Sequence, residues 1–369
     1  MHNHHNHFHY YVHPAWMNAI AAFVLLCACS VDATAQSTVT IYGRIVAGIN
    51  YQSNQNTGRV DASGTPINGG VWSAGGNEWG TSFFGFTGDE DLGGGLKANF
   101  TLENGFSSAN GVPNGGSGLW NRRSTVGFSG AFGTLKFGRD LALPSDVVWS
   151  MDPTGQQAMS TATLVKGRNW PITSNQIQYT TPSFNGFYAQ GMVGLGGVAG
   201  STKDSSSSAF LLAYTQAGLE LKAMFDVAND PTGQYSSLFQ YSKEFTVGGT
   251  YTLDNSKFFL GYQNLSAPAV AASLGNPDQA SHFWLGINYT LTPALTLIGA
   301  GYHVNLNQNT GSANLFMVGT NYNLSKRTLL YASLGTLHNS ALTSFAIETG
   351  NSAPGVNQSA FYTGVSHSF

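Results

Sequence analysis

The chain closes with Ser359-Ala-Phe-Tyr-Thr-Gly-Val-Ser-His-Ser-Phe369, a segment with a two-residue alternation. If the segment is extended, Phe361, Val365 and Phe369 point to one side, and the residues between them point to the other. Such alternation is typical of a β-strand with a different environment on each face. The segment ends on an aromatic residue, whereas chain termini are commonly polar and frayed. The last strand of a soluble sheet and the closing strand of a transmembrane β-barrel both fit this pattern.

The composition is that of a folded protein with few charges. Asp, Glu, Lys and Arg make up 9% of the 369 residues, whereas a typical soluble domain has about 25%. Hydrophobic residues make up 42%, and the mean hydropathy is -0.08. Aromatic residues make up 12%, which argues against disorder. The formal net charge of -3 provides no basic field for nucleic acid. This balance suits a protein that faces lipid outside and water inside.

Residues 1–35 are predicted to be a signal peptide. The longest apolar run, Ala19 to Cys29, has eleven residues, and a transmembrane helix needs about 20. Small residues at Ala33 and Ala35 fit a cleavage site that leaves residues 36–369 as the mature barrel. Both cysteines lie in the leader, so the mature chain is expected to have no disulfide. The leader also carries six histidines. A non-native or mis-assigned start, with translation beginning at Met17, explains them better than a metal-binding role.

The same alternation recurs along the mature chain. In the segment 38–50 the odd positions are apolar or small, and Tyr42 and Arg44 lie opposite them. Counting such segments predicts sixteen strands, an even number as in single-chain bacterial barrels. The predicted strands are 38–50, 81–88, 96–105, 121–129, 133–139, 174–181, 186–195, 208–216, 219–229, 237–253, 257–264, 281–290, 294–304, 313–323, 328–337 and 359–369.

The predicted connections alternate between short turns and long loops rich in Gly, Ser and Asn. Long connections include 51–80 and 338–358, and the longest spans about residues 140–173. Because no water pairs with an open sheet edge in hydrocarbon, a membrane-spanning sheet must close on itself. Sixteen strands are enough to leave an aqueous channel inside. The sequence therefore predicts an all-β, 16-stranded antiparallel transmembrane β-barrel.

Several blocks along the mature chain carry a family resemblance. They include Gln36–Gly43, Gly88–Ala98, Phe132–Arg139, Tyr179–Gly186 and the terminal Phe369. In this order the blocks resemble the trimeric general porins of the Gram-negative outer membrane, in the branch typical of β-proteobacteria. The resemblance implies a homotrimeric channel, surrounded by lipid and lipopolysaccharide, for passive diffusion of small hydrophilic solutes and ions. It implies no cofactor, metal or catalysis.

The resemblance also implies that the long connection after residue 139 folds into the barrel and narrows it. Acidic residues of this loop would then face basic residues of the barrel wall. The candidate constriction residues are Arg44, Phe83, Glu103, Arg122, Arg123, Lys136, Arg139, Asp146 and Asp152. Strand parity independently points Arg44, Arg123 and Lys136 inward. Arg122 has the parity of the apolar side of its strand. Because it lies at the start of that strand, near the loop, the local twist can redirect its side chain.

Three departures from the family pattern predict a thinned ring of charge. Phe83 and Ile172 stand where the family commonly has arginine, and Val46 replaces an acid. Because a ring of like charge controls which ions enter a pore, fewer arginines predict weaker anion selectivity. Phe83 could also form an aromatic step that accommodates less charged solutes.

Three other functions are compatible with parts of the sequence. Trp120, Trp149 and Trp170 could form a sugar-stacking track in a substrate-specific porin, and the long loops could serve a surface adhesin. A barrel enzyme would need a histidine near one rim, for which His303 and His338 are the candidates. The mature histidines show no metal-ligand spacing, and the hydrolase, zinc-protease and phosphate-loop motifs are absent from the sequence.

Overall fold

Antiparallel β-strands make up most of the chain. The computed structural model of the protein describes residues 38–114, 118–155, 157–271, 276–347 and 352–369. The predicted signal peptide lies outside these residues. In the described part, the strands are β1 (Thr38–Val60), β2 (Pro66–Gly75), β3 (Ser82–Gly93), β4 (Leu96–Phe106), β5 (Arg123–Gly130), β6 (Gly133–Leu141), β7 (Ile172–Thr180), β8 (Phe187–Gly194), β9 (Ser207–Gln216), β10 (Leu219–Ala228), β11 (Lys243–Leu253), β12 (Ser256–Ser266), β13 (Gln279–Thr292), β14 (Leu295–Leu306), β15 (Gly311–Asn323), β16 (Thr328–Asn339) and β17 (Gln358–Ser368).

The first and last strands join to close the sheet into a barrel. β1 and β17 pair in antiparallel register from Arg44 opposite Ser368 to Gln52 opposite Ala360. At the end of this seam, Gly43 and Phe369 exchange two backbone hydrogen bonds, with N···O distances of 3.2 and 3.1 Å. The Phe369 ring lies against the Cα of Gly43, in space that a Cβ would fill. The predicted role of the terminal segment as the closing strand is confirmed.

β2 and β3 share one position around the barrel. β3 pairs with residues 38–44 of β1, and β2 pairs with the later part of the same strand, between Gly48 and Val60. The two strands follow each other along one edge of β1, so the described strands fill sixteen positions and the predicted barrel is confirmed. The prediction that 51–80 is a loop is wrong. β1 continues outward because β2 supplies backbone partners for it.

One other predicted strand is too long. The alternation predicts a strand over 237–253, but β11 begins at Lys243. Residues Ser237 and Tyr241 instead form a tight turn in which the Tyr241 N–H donates to the Ser237 carbonyl at 2.8 Å.

The alternation of connections is as predicted, with short turns such as 217–218 and 254–255 at one end of the barrel. Short turns mark the periplasmic end of such barrels.

The two faces of the barrel meet different solvents. On β1 the odd positions face outward, and Val39 and Ile41 are each 63% exposed. Val46, at an even position, is completely buried. The exposed apolar band continues around the other strands, as a lipid-facing surface requires. Among the described helices, none has the length and apolar character to cross a bilayer.

The connection between β6 and β7 folds into the barrel. It contains helix α1 (Leu143–Met151) and a short 3-10 helix (Thr161–Val165). The first turn of α1 contains Pro144, whose fixed backbone angle suits that position. Where the loop meets the inner wall, the Trp284 indole donates to the Met151 carbonyl at 2.8 Å. Nearby, the Asn288 amide donates to the Pro153 carbonyl at 3.0 Å. Helix α1 packs against β9–β12 and the 3-10 helix packs against β13–β15, so the loop lies inside the barrel along these strands.

Candidate constriction site

Four basic side chains lie close together on the barrel wall. Arg44 lies on β1, Arg122 just before β5, Arg123 on β5 and Lys136 on β6. Their strands are neighbours in the sheet, through β3 and β4. The sequence predicted inward parity for Arg44, Arg123 and Lys136, and Arg122 joins them on one patch through its contact with Glu103.

Arg44 is held by backbone and aromatic groups. Its Nη2 and Nε atoms donate to the Thr81 carbonyl at 3.0 and 3.2 Å. The guanidinium carbon lies 5.1 Å from the centroid of the Trp79 ring and 5.4 Å from that of Phe83. Within the described ranges, no carboxylate oxygen comes within 4 Å of this guanidinium. Among the described residues, Arg44 is therefore the cation of this patch that has no carboxylate partner within 4 Å.

Arg122 is paired with a buried acid. Its Nε lies 2.5 Å from Oε1 of Glu103, and the Tyr42 hydroxyl donates to Oε2 of the same carboxylate at 3.0 Å. The guanidinium of Arg122 also lies 5.3 Å from the Phe83 ring centroid. Phe83 thus contacts the guanidinium groups of both Arg44 and Arg122. Cation–π attraction between the ring and the two cations stabilises this arrangement.

Arg123 and Lys136 converge on Asp140. Arg123 Nη1 lies 2.5 Å from Oδ1 of Asp140, and Lys136 Nζ lies 2.6 Å from Oδ2. Across the opening, Asp146 on α1 places Oδ1 at 3.8 Å from Arg123 Nη2. Asp140 was absent from the predicted site, although it stands four residues after Lys136 on the same strand face. That even spacing is the signal that would have found it.

Two predicted site residues lie elsewhere. Arg139 donates through Nε to the Asn121 carbonyl at 2.8 Å and through Nη1 to the Ser174 hydroxyl at 2.5 Å. Asp152 is buried, and its carboxylate accepts hydrogen bonds from the backbone N–H groups of Thr154 and Thr161, each at 2.7 Å. Asp152 therefore organises the loop, and Arg139 connects the segment before β5 with β7. The expectation that Asp152 on the loop and Arg139 on the wall belong to the constriction is corrected, because both are engaged by other partners.

A second charged cluster fixes the returning arm of the loop. We call Arg168, Asp226 and Glu244 the loop anchor. Arg168 Nη2 lies 2.5 Å from Oδ2 of Asp226 on β10, and its Nη1 lies 3.7 Å from Oε2 of Glu244 on β11. The three side chains are 3%, 4% and 0% exposed. Beside them, Gln263 on β12 donates to Oδ1 of Asn169 at 2.7 Å. This cluster is not among the predicted site residues.

The tryptophans do not form one track through the lumen. Trp120 packs edge-on against Phe84 and Phe86, with ring centroids 6.1 and 5.8 Å away. These two phenylalanines lie on the opposite face of β3 from Phe83. Trp149 and Trp170 lie on the constriction loop and are 58% and 41% exposed. The structure therefore does not bring the three rings together.

The two rim histidines contact neutral polar groups. His303 Nδ1 lies 2.8 Å from the Asn314 side-chain oxygen, and His338 Nε2 lies 3.3 Å from the Thr336 hydroxyl. Among the residues with described positions, no group of three or more His, Cys, Asp or Glu side chains is arranged to hold a metal ion.

Comparisons with known proteins place the chain in a family. A sequence model of the Gram-negative porins matches residues 19–342. Outer membrane porin protein 32 of Delftia acidovorans is 28% identical over 370 residues, covering 93% of this chain and 97% of that protein. An outer membrane porin protein of Bordetella pertussis is 27% identical over 359 residues, covering 85% and 92%.

A solved structure shows the same fold. The anion-selective porin from Comamonas acidovorans superimposes with a TM-score of 0.74 at 24% identity, covering 90% of this chain and all of that one. The barrel, the inward loop and the family match agree with one another. The chain therefore belongs to the Gram-negative porins, and it forms an outer-membrane channel for passive diffusion.

Proposed function

We propose that this porin passes small hydrophilic solutes and ions through an opening that favours anions only weakly. The observation that carries the proposal is the pairing of charges at the constriction. Arg122, Arg123 and Lys136 each contact a carboxylate within 4 Å, whereas Arg44 does not. With the acids Glu103, Asp140 and Asp146, the patch holds four cations and three anions, which leaves an excess of one positive charge.

The small excess matters because fields are strongest where a pore is narrow. Low-dielectric walls concentrate the field of fixed charges in a cleft, and rings of such charges select ions at close range. When an acidic and a basic side chain form an ion pair, their opposite charges largely cancel. A passing ion then feels only the weaker field of the resulting dipole. Phe83 adds area to this wall without adding charge. We therefore expect a positive but modest preference for anions.

Arg44→Gln is expected to reduce the anion preference of the channel. Removing a unit charge at about 4 Å from an ion in a watery pore changes its energy by about 1 kcal/mol, or roughly fivefold in permeability ratio. The measurement is the reversal potential across a planar bilayer under a salt gradient. Arg139→Gln is the control, because this guanidinium contacts the Asn121 carbonyl and the Ser174 hydroxyl and not a carboxylate of the patch. An unchanged reversal potential in Arg44→Gln would contradict the proposal.

Phe83→Arg is expected to have the opposite effect and to strengthen anion selectivity. The new guanidinium would stand between Arg44 and Arg122, whose groups lie 5.4 and 5.3 Å from the Phe83 ring centroid. The same salt-gradient recording gives the permeability ratio, and Phe83→Leu controls for loss of the aromatic ring. If Phe83→Arg is no more anion-selective than Phe83→Leu, this position does not control the field in the pore.

The proposal includes the assembly and the environment of the channel. We infer that residues 1–35 direct export and are removed, and that the barrels assemble as homotrimers among lipid and lipopolysaccharide. An outer membrane protein of Vibrio cholerae, solved in a trimer form, shares the fold with a TM-score of 0.62 at 14% identity. Transport by diffusion needs neither a cofactor nor catalysis. Conductance steps that occur in threes in the same recordings would support the trimer, and independent single steps would oppose it.

A further inference from the structure

The lipid-facing surface has a recess on strands β7–β10. Its volume is about 420 Å³, and its lining includes Ile177, Tyr179, Val193, Phe210 and Phe225. The floor is Gly191, where an added Cβ would have no heavy atom within 4 Å. The side chains around it point outward, and Phe210 and Phe225 are 58% and 50% exposed. The recess is therefore a gap in the apolar band, and its occupant must be apolar.

Two ammonium groups lie at the outer end of the same face. Lys243 begins β11 on its outward side, since Phe245 is 43% exposed while Glu244 is buried. Lys243 Nζ lies 4.9 Å from the Tyr235 ring centroid, and Lys203 Nζ lies 5.7 Å from the same centroid. In the parts of the chain with described positions, no carboxylate oxygen lies within 4 Å of either ammonium. The outer rim thus presents two cations that converge on the Tyr235 ring, with the Asp204 carboxylate beside the Lys203 stem at Gly233 but not paired with either ammonium within 4 Å.

Strand register connects the cations with the recess. Lys243 is opposite Val227, Val227 is opposite Ser208, and Ser208 is opposite Val193. Ser208 and Val193 line the recess. Since neighbouring strands are about 4.8 Å apart, Lys243 lies about 10 Å along this row from Ser208. The spacing is short enough for one amphipathic molecule to reach both features.

We propose that this face binds one phosphorylated glycolipid of the outer leaflet. Its phosphate lies at Lys203 and Lys243, and one of its acyl chains fills the recess over Gly191. The inference rests on the membrane setting and on the lipid partner proposed above. A neighbouring barrel would need both an apolar projection and an anion at the matching height. A phosphorylated lipid carries both in one molecule, with the phosphate on the headgroup side.

The phosphate contact is tested with lipid A carrying two phosphates and with its dephosphorylated form. Binding to the purified full-length barrel in detergent is measured by native mass spectrometry. The double variant Lys203→Gln with Lys243→Gln is expected to bind the phosphorylated lipid about tenfold more weakly or worse, with little change for the dephosphorylated one. Lys257→Gln is the control, since its ammonium lies 5.1 Å from the Phe259 ring at the opposite end of the barrel.

The acyl-chain contact is tested with Gly191→Leu, whose side chain would fill the recess. This variant is expected to weaken binding of both lipid forms. Gly301→Leu is the matched control, because it adds the same side chain at an outward glycine on β14, where a Cβ meets only the Phe316 ring at 3.5 Å. Equal binding by Gly191→Leu and Gly301→Leu would overturn the assignment of the recess.

Two further outcomes would overturn the proposal as a whole. One is equal affinity of the wild-type barrel for the phosphorylated and dephosphorylated lipids. The other is a change of oligomeric state in Gly191→Leu without a change in lipid binding, which would identify a second copy of the chain as the occupant. Channel conductance is recorded for every variant and is expected to be unchanged. Lost lipid binding with normal conductance separates this inference from the proposed permeation properties.

Discussion

Arg168→Leu is expected to release the returning arm of the constriction loop and to raise the single-channel conductance. The change leaves the carboxylates of Asp226 and Glu244 buried beside an apolar side chain. Removing one partner of a buried ion pair destabilises a protein by about 3–5 kcal/mol. Movement of the loop away from the wall relieves that penalty, because it lets water reach the acids. Conductance and open-channel noise in planar bilayers are both expected to increase.

Two further variants make this test specific. Lys166→Met removes a nearby loop cation whose Nζ lies over the Phe239 and Phe345 rings, and its effect is expected to be about 1 kcal/mol or less. The triple variant Arg168→Met, Asp226→Asn and Glu244→Gln removes all three charges of the loop anchor. It is expected to recover most of the wild-type conductance, because no unpaired charge remains buried. Wild-type conductance and noise in Arg168→Leu would show that the anchor does not hold the loop.

Gly43→Val is expected to prevent stable closure of the barrel. A Cβ at this position would lie 2.6 Å from the Phe83 carbonyl oxygen and would also meet the Phe369 ring. Overpacking commonly destabilises by about 1–3 kcal/mol, and disturbing the two seam hydrogen bonds adds about 1 kcal/mol for each. The folded fraction in unheated gel electrophoresis and the midpoint of urea unfolding are expected to fall together.

The seam prediction has a control and a diagnostic double variant. Gly301→Val places the same side chain on the lipid face, where only an ordinary contact with Phe316 is present. Gly43→Val combined with Phe369→Ala removes the ring but keeps the clash with the Phe83 carbonyl, so it is not expected to recover. If Gly43→Val unfolds at the same urea concentration as Gly301→Val, the close approach at the seam is not limiting.

Much of the barrel could be predicted because the membrane imposes two solvents on every strand. Alternation at Val39, Ile41 and Ile45 identified an outward face, and these side chains are 63%, 63% and 44% exposed. The same reasoning applied to the final strand, where Val365 is 37% exposed and Ser366 is 3% exposed. Local sequence was sufficient here, since each face is defined by a bulk phase and needs no knowledge of distant contacts.

The parts that could not be predicted depend on distant partners. β2 contains Pro66-Ile-Asn-Gly-Gly-Val-Trp-Ser-Ala-Gly75, which lacks alternation and becomes a strand only because β1 extends beside it. The direction of the loop is equally nonlocal. Arg168 meets Asp226 and Glu244, which lie 58 and 76 positions later, through tertiary packing alone.

The turn that begins at Asp152 can be recognised from the local sequence, but its position in the fold cannot. The sequence Asp152-Pro-Thr-Gly155 recurs as Asp230-Pro-Thr-Gly233. In both copies the aspartate Oδ1 accepts from the N–H and the hydroxyl of the threonine two residues later, at 2.7 Å in the first and 2.8 Å in the second. The pattern thus encodes a turn. It does not encode whether that turn lies in the lumen or outside it.

The length of β1 has a consequence outside the membrane. At about 3.3 Å per residue, its 23 residues extend roughly 75 Å, whereas the apolar band of such a barrel is about 25 Å tall. Even when it is tilted, the β1–β2 hairpin must rise well into the surrounding medium. Its tip includes Gly64, around which a Cβ would find nothing within 4 Å. A foreign peptide inserted at this tip would stand on a two-stranded stalk away from the pore, so the cell could display an antigen there without altered permeability.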